Sequence, residues 1–122
     1  MGRKHHELTV WQESMALVKL IYEVTSRFPQ AEVYALTSQM RRAAISVPSN
    51  IAEGAARKGN REFLHFLSIA RGSLSELETQ VIIAKNIDYL EEERELLQMI
   101  EKIFALLGGL MNSIDKRERA VK

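Results

Sequence analysis

Apolar residues recur at three-, four- and seven-residue steps along almost the whole chain, and only three short breaks interrupt that rhythm. This period matches the 3.6-residue turn of an α-helix and excludes the alternation of a half-buried strand. The first series runs from Val10 through Leu17, Ile21 and Val24 to Phe28, with Trp11, Met15, Val18 and Tyr22 as an adjacent stripe. Thr9 and Gln12 have the spacing of a capping box, in which each satisfies a free backbone N–H of the other's turn. Pro29 pushes Phe28 out of the α region, so the first helix is expected over about 9–28.

The second helix is expected over 36–58, after a helical turn around Gln30 to Val33. Leu36, Met40, Ala43, Val47, Ile51 and Ala55 mark its core stripe. Pro48 lies inside it and costs about 3 kcal/mol in a helix interior. A break and a kinked continuous helix compete; the stripe stays in phase across Pro48, which favours the kink. Gly59 has the position of a C-cap. Asn60 then suits the N-cap of a third helix over 61–87, striped by Phe63, Phe66, Leu67, Ala70, Leu74, Leu77, Val81 and Ala84. Glu91, Glu92, Glu93 and Glu95 open a fourth helix over 91–118, and Lys116, Arg117 and Arg119 suit the negative end of its dipole. Gly108 and Gly109 are costly there and would permit a close helix approach.

Four helices of matched length with short connections predict one domain spanning 1–122, an all-α antiparallel up-down-up-down four-helix bundle. The 122 residues suffice for one core, and 46% hydrophobic with 27% charged residues argues against disorder. There is no cysteine, so disulfides and thiolate metal sites are excluded. The first residues lead into an amphipathic stretch and not an apolar signal core, and no apolar run is long enough to span a membrane. The expectation is a cytoplasmic protein.

Chemistry is sparse. Glu62 and His65 have the spacing of a di-iron ligand pair, but a second such motif is missing and both lie at the edge of the inward face. No phosphate loop, nucleophile elbow or two-histidine zinc motif occurs. No catalytic, cofactor or metal residue is therefore assigned, and no enzyme is expected. The segment 54–59 invites two readings, an anion site ahead of the third helix or a plain turn with solvated basic residues; the turn is the better one.

Polar residues on the second and third helices are harder to dismiss. Arg42, Ser46, Asn50, Glu53 and Arg57 follow one another by three or four residues, as do Arg71, Ser75 and Glu78, with Glu76 nearer the core boundary. A solvated face, a hydrogen-bond and salt-bridge network between helices or subunits (Asn50, Glu53, Arg71, Glu76, Glu78), and a carboxylate dyad of Glu53 with Glu76 or Glu78 all fit this spacing. Charge is uneven although the net value is +1. Arg41, Arg42, Arg57, Lys58 and Arg61 face one acid, Glu53, in the same stretch. Arg3, Lys4 and the tail from Lys116 to Lys122 add basic ends, whereas Glu91 to Glu95 is acidic. Repeated around an oligomer, such asymmetry steers a phosphate backbone.

The residues 36–54, ending in Asn50-Ile51-Ala52-Glu53-Gly54, and 63–78, containing Ala70-Arg71-Gly72-Ser73 and Glu76, carry a resemblance. Together with Val10-Trp11 and Phe28-Pro29 they resemble the bacterial four-helix bundle proteins encoded by intervening sequences in large-subunit rRNA genes, often labelled ribosomal proteins. The resemblance covers roughly residues 8 to 112. It implies a homo-oligomer, a pentameric ring of bundles. It also implies kinship with an accessory protein of diversity-generating retroelements that binds nucleic acid and a reverse transcriptase. The resulting expectation is a non-catalytic, nucleic-acid-associated homo-oligomer with Arg41, Arg42, Arg57, Lys58 and Arg61 as phosphate contacts. The alternative is an oligomeric protein–protein scaffold.

Overall fold

The computed structural model describes residues 3–121, and Met1, Gly2 and Lys122, the last residue of the basic tail, lie outside them. Among the described residues the structure is all-α, with four helices and no strand: α1 (Thr9–Thr25), α2 (Leu36–Ala55), α3 (Asn60–Asn86) and α4 (Arg94–Val121). Short 3-10 turns at Lys4–Glu7 and Gln30–Glu32 precede α1 and α2, the second where a helical turn is expected. α1 packs on α2, α2 on α3, α3 on α4 and α4 back on α1, so each helix touches two others. Among the described residues no helix is long and apolar enough to cross a membrane.

One core results. Leu17 and Ile21, Met40 and Ile51, and Leu67, Leu74 and Leu77 are fully buried, each on the stripe its spacing predicts, and so are Leu96, Ile100, Ile103, Leu107 and Ile114 of α4, which repeat at close to 3.5 residues. Phe66 departs from its stripe and is half-buried, as are Leu36, Phe104, Leu110 and Met111. Ser14 is an unexpected core residue. Its hydroxyl donates to the Val10 carbonyl at 2.6 Å, so a polar group is buried without an unmade bond.

Helix ends differ from expectation where local hydrogen bonds override propensity. No Thr9–Gln12 capping box forms, because Leu8 is the N-cap and Gln12 instead donates its Nε2 to the His6 carbonyl at 2.8 Å. α1 stops at Thr25, three residues before Phe28. The hydroxyls of Thr25 and Ser26 turn back onto the carbonyls of Ile21 and Glu23, and the Phe28 N–H closes a tight turn on the Thr25 carbonyl. α2 runs unbroken through Pro48, which is buried, and ends at Ala55 and not near Lys58. Gly59 is not a C-cap: its backbone is extended (φ −112°, ψ 154°) and its carbonyl accepts the Phe63 N–H, making it the N-cap of α3 and Asn60 the first helical residue.

α3 ends where expected, in a Schellman turn. Asp88 takes the left-handed conformation (φ 65°), Asp88 N–H reaches the Lys85 carbonyl, and Tyr89 N–H reaches the Ala84 carbonyl. α4 begins later than the acidic run suggests. The Glu92 carboxylate accepts the Arg94 N–H at 2.8 Å, so Glu91, Glu92 and Glu93 precede the helix and only Glu95 lies in its first turn.

Close approach occurs at Gly54. A Cβ there would meet the Phe66 Cβ at 2.8 Å and the Phe63 carbonyl at 3.2 Å, so α2 and α3 touch backbone to side chain. Gly108 and Gly109, expected to serve that purpose, are exposed and face open space. At the other end of α3, Tyr89 donates to Glu32 Oε2 at 2.9 Å and its ring lies 5.4 Å from that of Phe28. The α1–α2 and α3–α4 connections therefore meet.

Candidate functional site

The five basic residues on and after α2 fall into two groups. Arg41 is half-buried against α1: its Nε donates to Thr25 Oγ1 at 2.9 Å, and its guanidinium lies over the Tyr22 ring, 4.4 Å from the centroid. Arg57 pairs with Glu53 at 2.8 Å and lies over the Phe66 ring at 4.9 Å. Both cations are occupied within the chain. Arg42, Lys58 and Arg61 are exposed, and their side chains make no hydrogen bond or ion pair with another described residue. Lys58 in the α2–α3 turn and Arg61 in the first turn of α3 are close in sequence, and the fold adds a cation from far away. Lys4 reaches it from the N-terminal 3-10 turn, its Nζ lying 5.4 Å from the centroid of the Phe63 ring.

The polar stripe of α2 divides as well. Ser46 Oγ bonds to Ser73 Oγ across the α2–α3 seam at 2.8 Å, and Asn50 Nδ2 donates to the Ser46 hydroxyl at 2.9 Å and carbonyl at 2.8 Å. Asn50 is thus part of an inter-helix network, whereas Glu53 lies outside it, on Arg57. Ser73 completes that network and was not anticipated, because one serine among several on α3 carries no periodic signal. Arg71 is exposed and takes no part.

The two α3 carboxylates exchange their expected places. Glu76 is exposed on the α2 side, where its Oε2 accepts from Gln80 Nε2 at 3.4 Å. Glu78 is half-buried in a depression with Lys85, Arg94 and Glu101 on the α4 side. The reason is that α3 packs between α2 and α4, so its boundary positions differ from those of a helix with one buried face. The structure brings neither carboxylate into hydrogen-bond contact with Glu53. Glu62 and His65 are both exposed, and among the described residues no three His, Asp or Glu side chains converge as metal ligands.

Two titratable groups are displaced from their ordinary values. Partial burial depresses the His5 imidazole, aided by the nearby positive charges of His6 and Arg3. The Tyr89 phenol is raised, first because it donates to the Glu32 carboxylate, then by burial and by that carboxylate's charge.

The pattern of the 23S rRNA-intervening sequence protein family matches residues 6–109, a span that begins ahead of α1, takes in all of α2 and α3 and ends within α4. The chain belongs to this family. Both segments that carry the resemblance, 36–54 and 63–78, lie inside the family match, as do the Ser46–Ser73 network and the Gly54 contact. The end of α4 lies beyond it. No curated protein matches the chain.

Proposed function

We propose that this member of the family is a non-catalytic, cytoplasmic homo-oligomer that associates with RNA or DNA through the α2–α3 turn. The observation that carries this reading is the cluster of Lys4, Lys58 and Arg61 there, none of them paired with a carboxylate among the described residues. Lys58 and Arg61 have no internal partner among the described residues, and the fold draws Lys4 to the same corner. Arg42 adds a fourth cation further along α2. Arg41 and Arg57 are engaged by partners within the chain and are not phosphate contacts in this reading. The helices run antiparallel as an up-down-up-down bundle, and five copies close into a ring that repeats the basic corner. Repetition multiplies a field that is weak in one subunit.

A gel-shift series with a structured RNA and a single-stranded DNA, at two salt concentrations, tests the proposal. Three phosphate contacts at the basic corner predict a log–log salt slope of about −2.1 per subunit on the single strand. No shift at low salt and micromolar protein refutes nucleic-acid association. Light scattering during size exclusion gives the subunit number; a monomer refutes the ring.

A second reading, an oligomeric protein–protein scaffold, is favoured by one observation: Ile69, Ile82 and Ile83 of α3 are about two-fifths exposed (39%, 44% and 43%). It predicts that neutralising Lys58 and Arg61 leaves function intact while polar substitutions at these isoleucines dissolve the assembly.

A further inference from the structure

A polar depression of about 570 Å³ between α2 and α3, lined by Tyr34, Ser38, Arg42, Ser46, Ser73 and Glu76, is separate from the basic turn. Tyr34 is 96% exposed, so its ring contributes almost no burial to folding and both faces are available. Arg42 is exposed and makes no bond to a described side chain, in contrast to Arg41 beside it. The floor is rigid, because Ser46 and Ser73 hold each other across the two helices and Asn50 fixes Ser46. On the α3 side, Glu76 spends one carboxylate oxygen on a long bond to Gln80, 3.4 Å, and its other oxygen has no hydrogen-bond partner among the described residues.

An uncovered ring, a free guanidinium and an acceptor-only carboxylate around one polar hollow match an unpaired nucleotide part by part. We propose that this depression is a nucleobase subsite: the base stacks on Tyr34, the Glu76 carboxylate accepts hydrogen bonds from its edge, and Arg42 pairs with its phosphate. Guanine suits it best, because its Watson–Crick edge presents two adjacent donors, N1–H and N2–H, to the two oxygens of one carboxylate. Adenine and cytosine offer one amino group there, and uracil one imino group. Within the nucleic-acid reading on which it rests, the inference narrows the ligand to a single strand or loop with an unpaired guanine. A free guanine nucleotide carries the same chemistry.

The test is fluorescence anisotropy with a short, labelled, unstructured oligoribonucleotide containing guanine, and with the same strand carrying inosine, which lacks the N2 amino group. Tyr34→Leu weakens binding about tenfold and Tyr34→Phe retains it, since stacking and not the hydroxyl is at stake. Tyr34 is solvent-exposed, so neither change threatens the fold. Arg42→Gln also weakens binding, and Glu76→Gln abolishes the preference for guanine over inosine. Full displacement of the labelled strand by millimolar unlabelled GMP assigns the ligand as a free nucleotide; displacement only by excess unlabelled guanine-containing strand assigns it as a strand, whose neighbouring phosphates add affinity, and both outcomes support the subsite.

Unchanged affinity in Tyr34→Leu and Arg42→Gln, with wild-type binding intact, overturns the subsite and leaves the proposed function standing. No binding of either strand by the wild type at low salt overturns both. A Tyr34→Leu variant that loses its oligomeric state in size exclusion also overturns the subsite, marking Tyr34 as a subunit contact.

Discussion

The Gly54 backbone lies so close to Phe66 that a Cβ on Gly54 would stand 2.8 Å from the Phe66 Cβ. The Phe63 ring edge (Cδ1) would stand at 3.0 Å and the Phe63 carbonyl at 3.2 Å, and the carbonyl is main chain and cannot rotate away. Gly54→Ala therefore forces α2 and α3 apart. Overpacking of this kind costs about 1–3 kcal/mol, against about 1 kcal/mol gained from the better helix propensity of alanine. Net destabilisation of up to about 2 kcal/mol is expected in urea unfolding; a variant more stable than the parent contradicts the contact.

The remaining helical glycines behave in the opposite sense. A Cβ on Gly108 or Gly109 meets nothing within 4 Å, so alanine at either position gains helix propensity without a clash. Each change should stabilise by up to about 1 kcal/mol. Asp88 is the mirror case, a non-glycine residue with φ 65° in the Schellman turn after α3. Asp88→Gly relieves a left-handed strain of about 1 kcal/mol and should raise the melting temperature. A fall in stability for any of the three contradicts this account of the backbone.

Arg41 and Lys58 separate stability from binding. Arg41→Gln removes the bond to Thr25 and the contact over Tyr22, with an expected loss of about 1–2 kcal/mol in unfolding and no change in the salt slope of RNA binding. Lys58→Gln should leave stability within about 0.5 kcal/mol and reduce the salt slope by about 1 per subunit. Interchanged results would show that the two cations have been assigned the wrong roles.

The Tyr89–Glu32 bond predicts a pH dependence. The folded phenol is raised above tyrosine's ordinary value, so the protonated form is favoured by folding. The stabilisation is fully present below the ordinary tyrosine pKa and is lost as pH rises through the raised folded value. Tyr89→Phe should be less stable than the parent near neutrality, and the difference should disappear in strongly alkaline solution. Since Tyr89→Phe keeps the ring that packs on Phe28, a difference that persists there would show that the hydroxyl acts by something other than donating to Glu32.

Helix number and core composition were legible because burial follows a 3.6-residue period, and Leu17, Ile51, Leu74 and Ile103 obey it without competition. The ends were not, because single hydrogen bonds decide them. Thr25 and Ser26 close α1 early, Glu92 caps α4 late, and Gly59 serves the following helix and not the preceding one. Site residues were legible by type and not by role. Arg41 and Arg42 are neighbours in sequence, yet a turn of about 100° per residue puts one on α1 and the other in solvent. Neither Lys4 beside Phe63 nor Ser73 beside Ser46 follows from spacing along one helix, since both pairings are made by tertiary packing.

The two ends of α3 differ in sign, and α3 holds them roughly 40 Å apart at 1.5 Å per residue. Lys58 and Arg61 stand at its start; Asp88, Glu91, Glu92 and Glu95 line a depression beyond its finish. A net charge of +1 thus conceals a molecular dipole. In the field of a polyanion such an object experiences a torque before it experiences attraction, and it turns its basic corner inward while still a Debye length away. Orientation is selected ahead of contact, so charge reversal at the acidic end, remote from any phosphate, should alter the rate of encounter more than the strength of the complex.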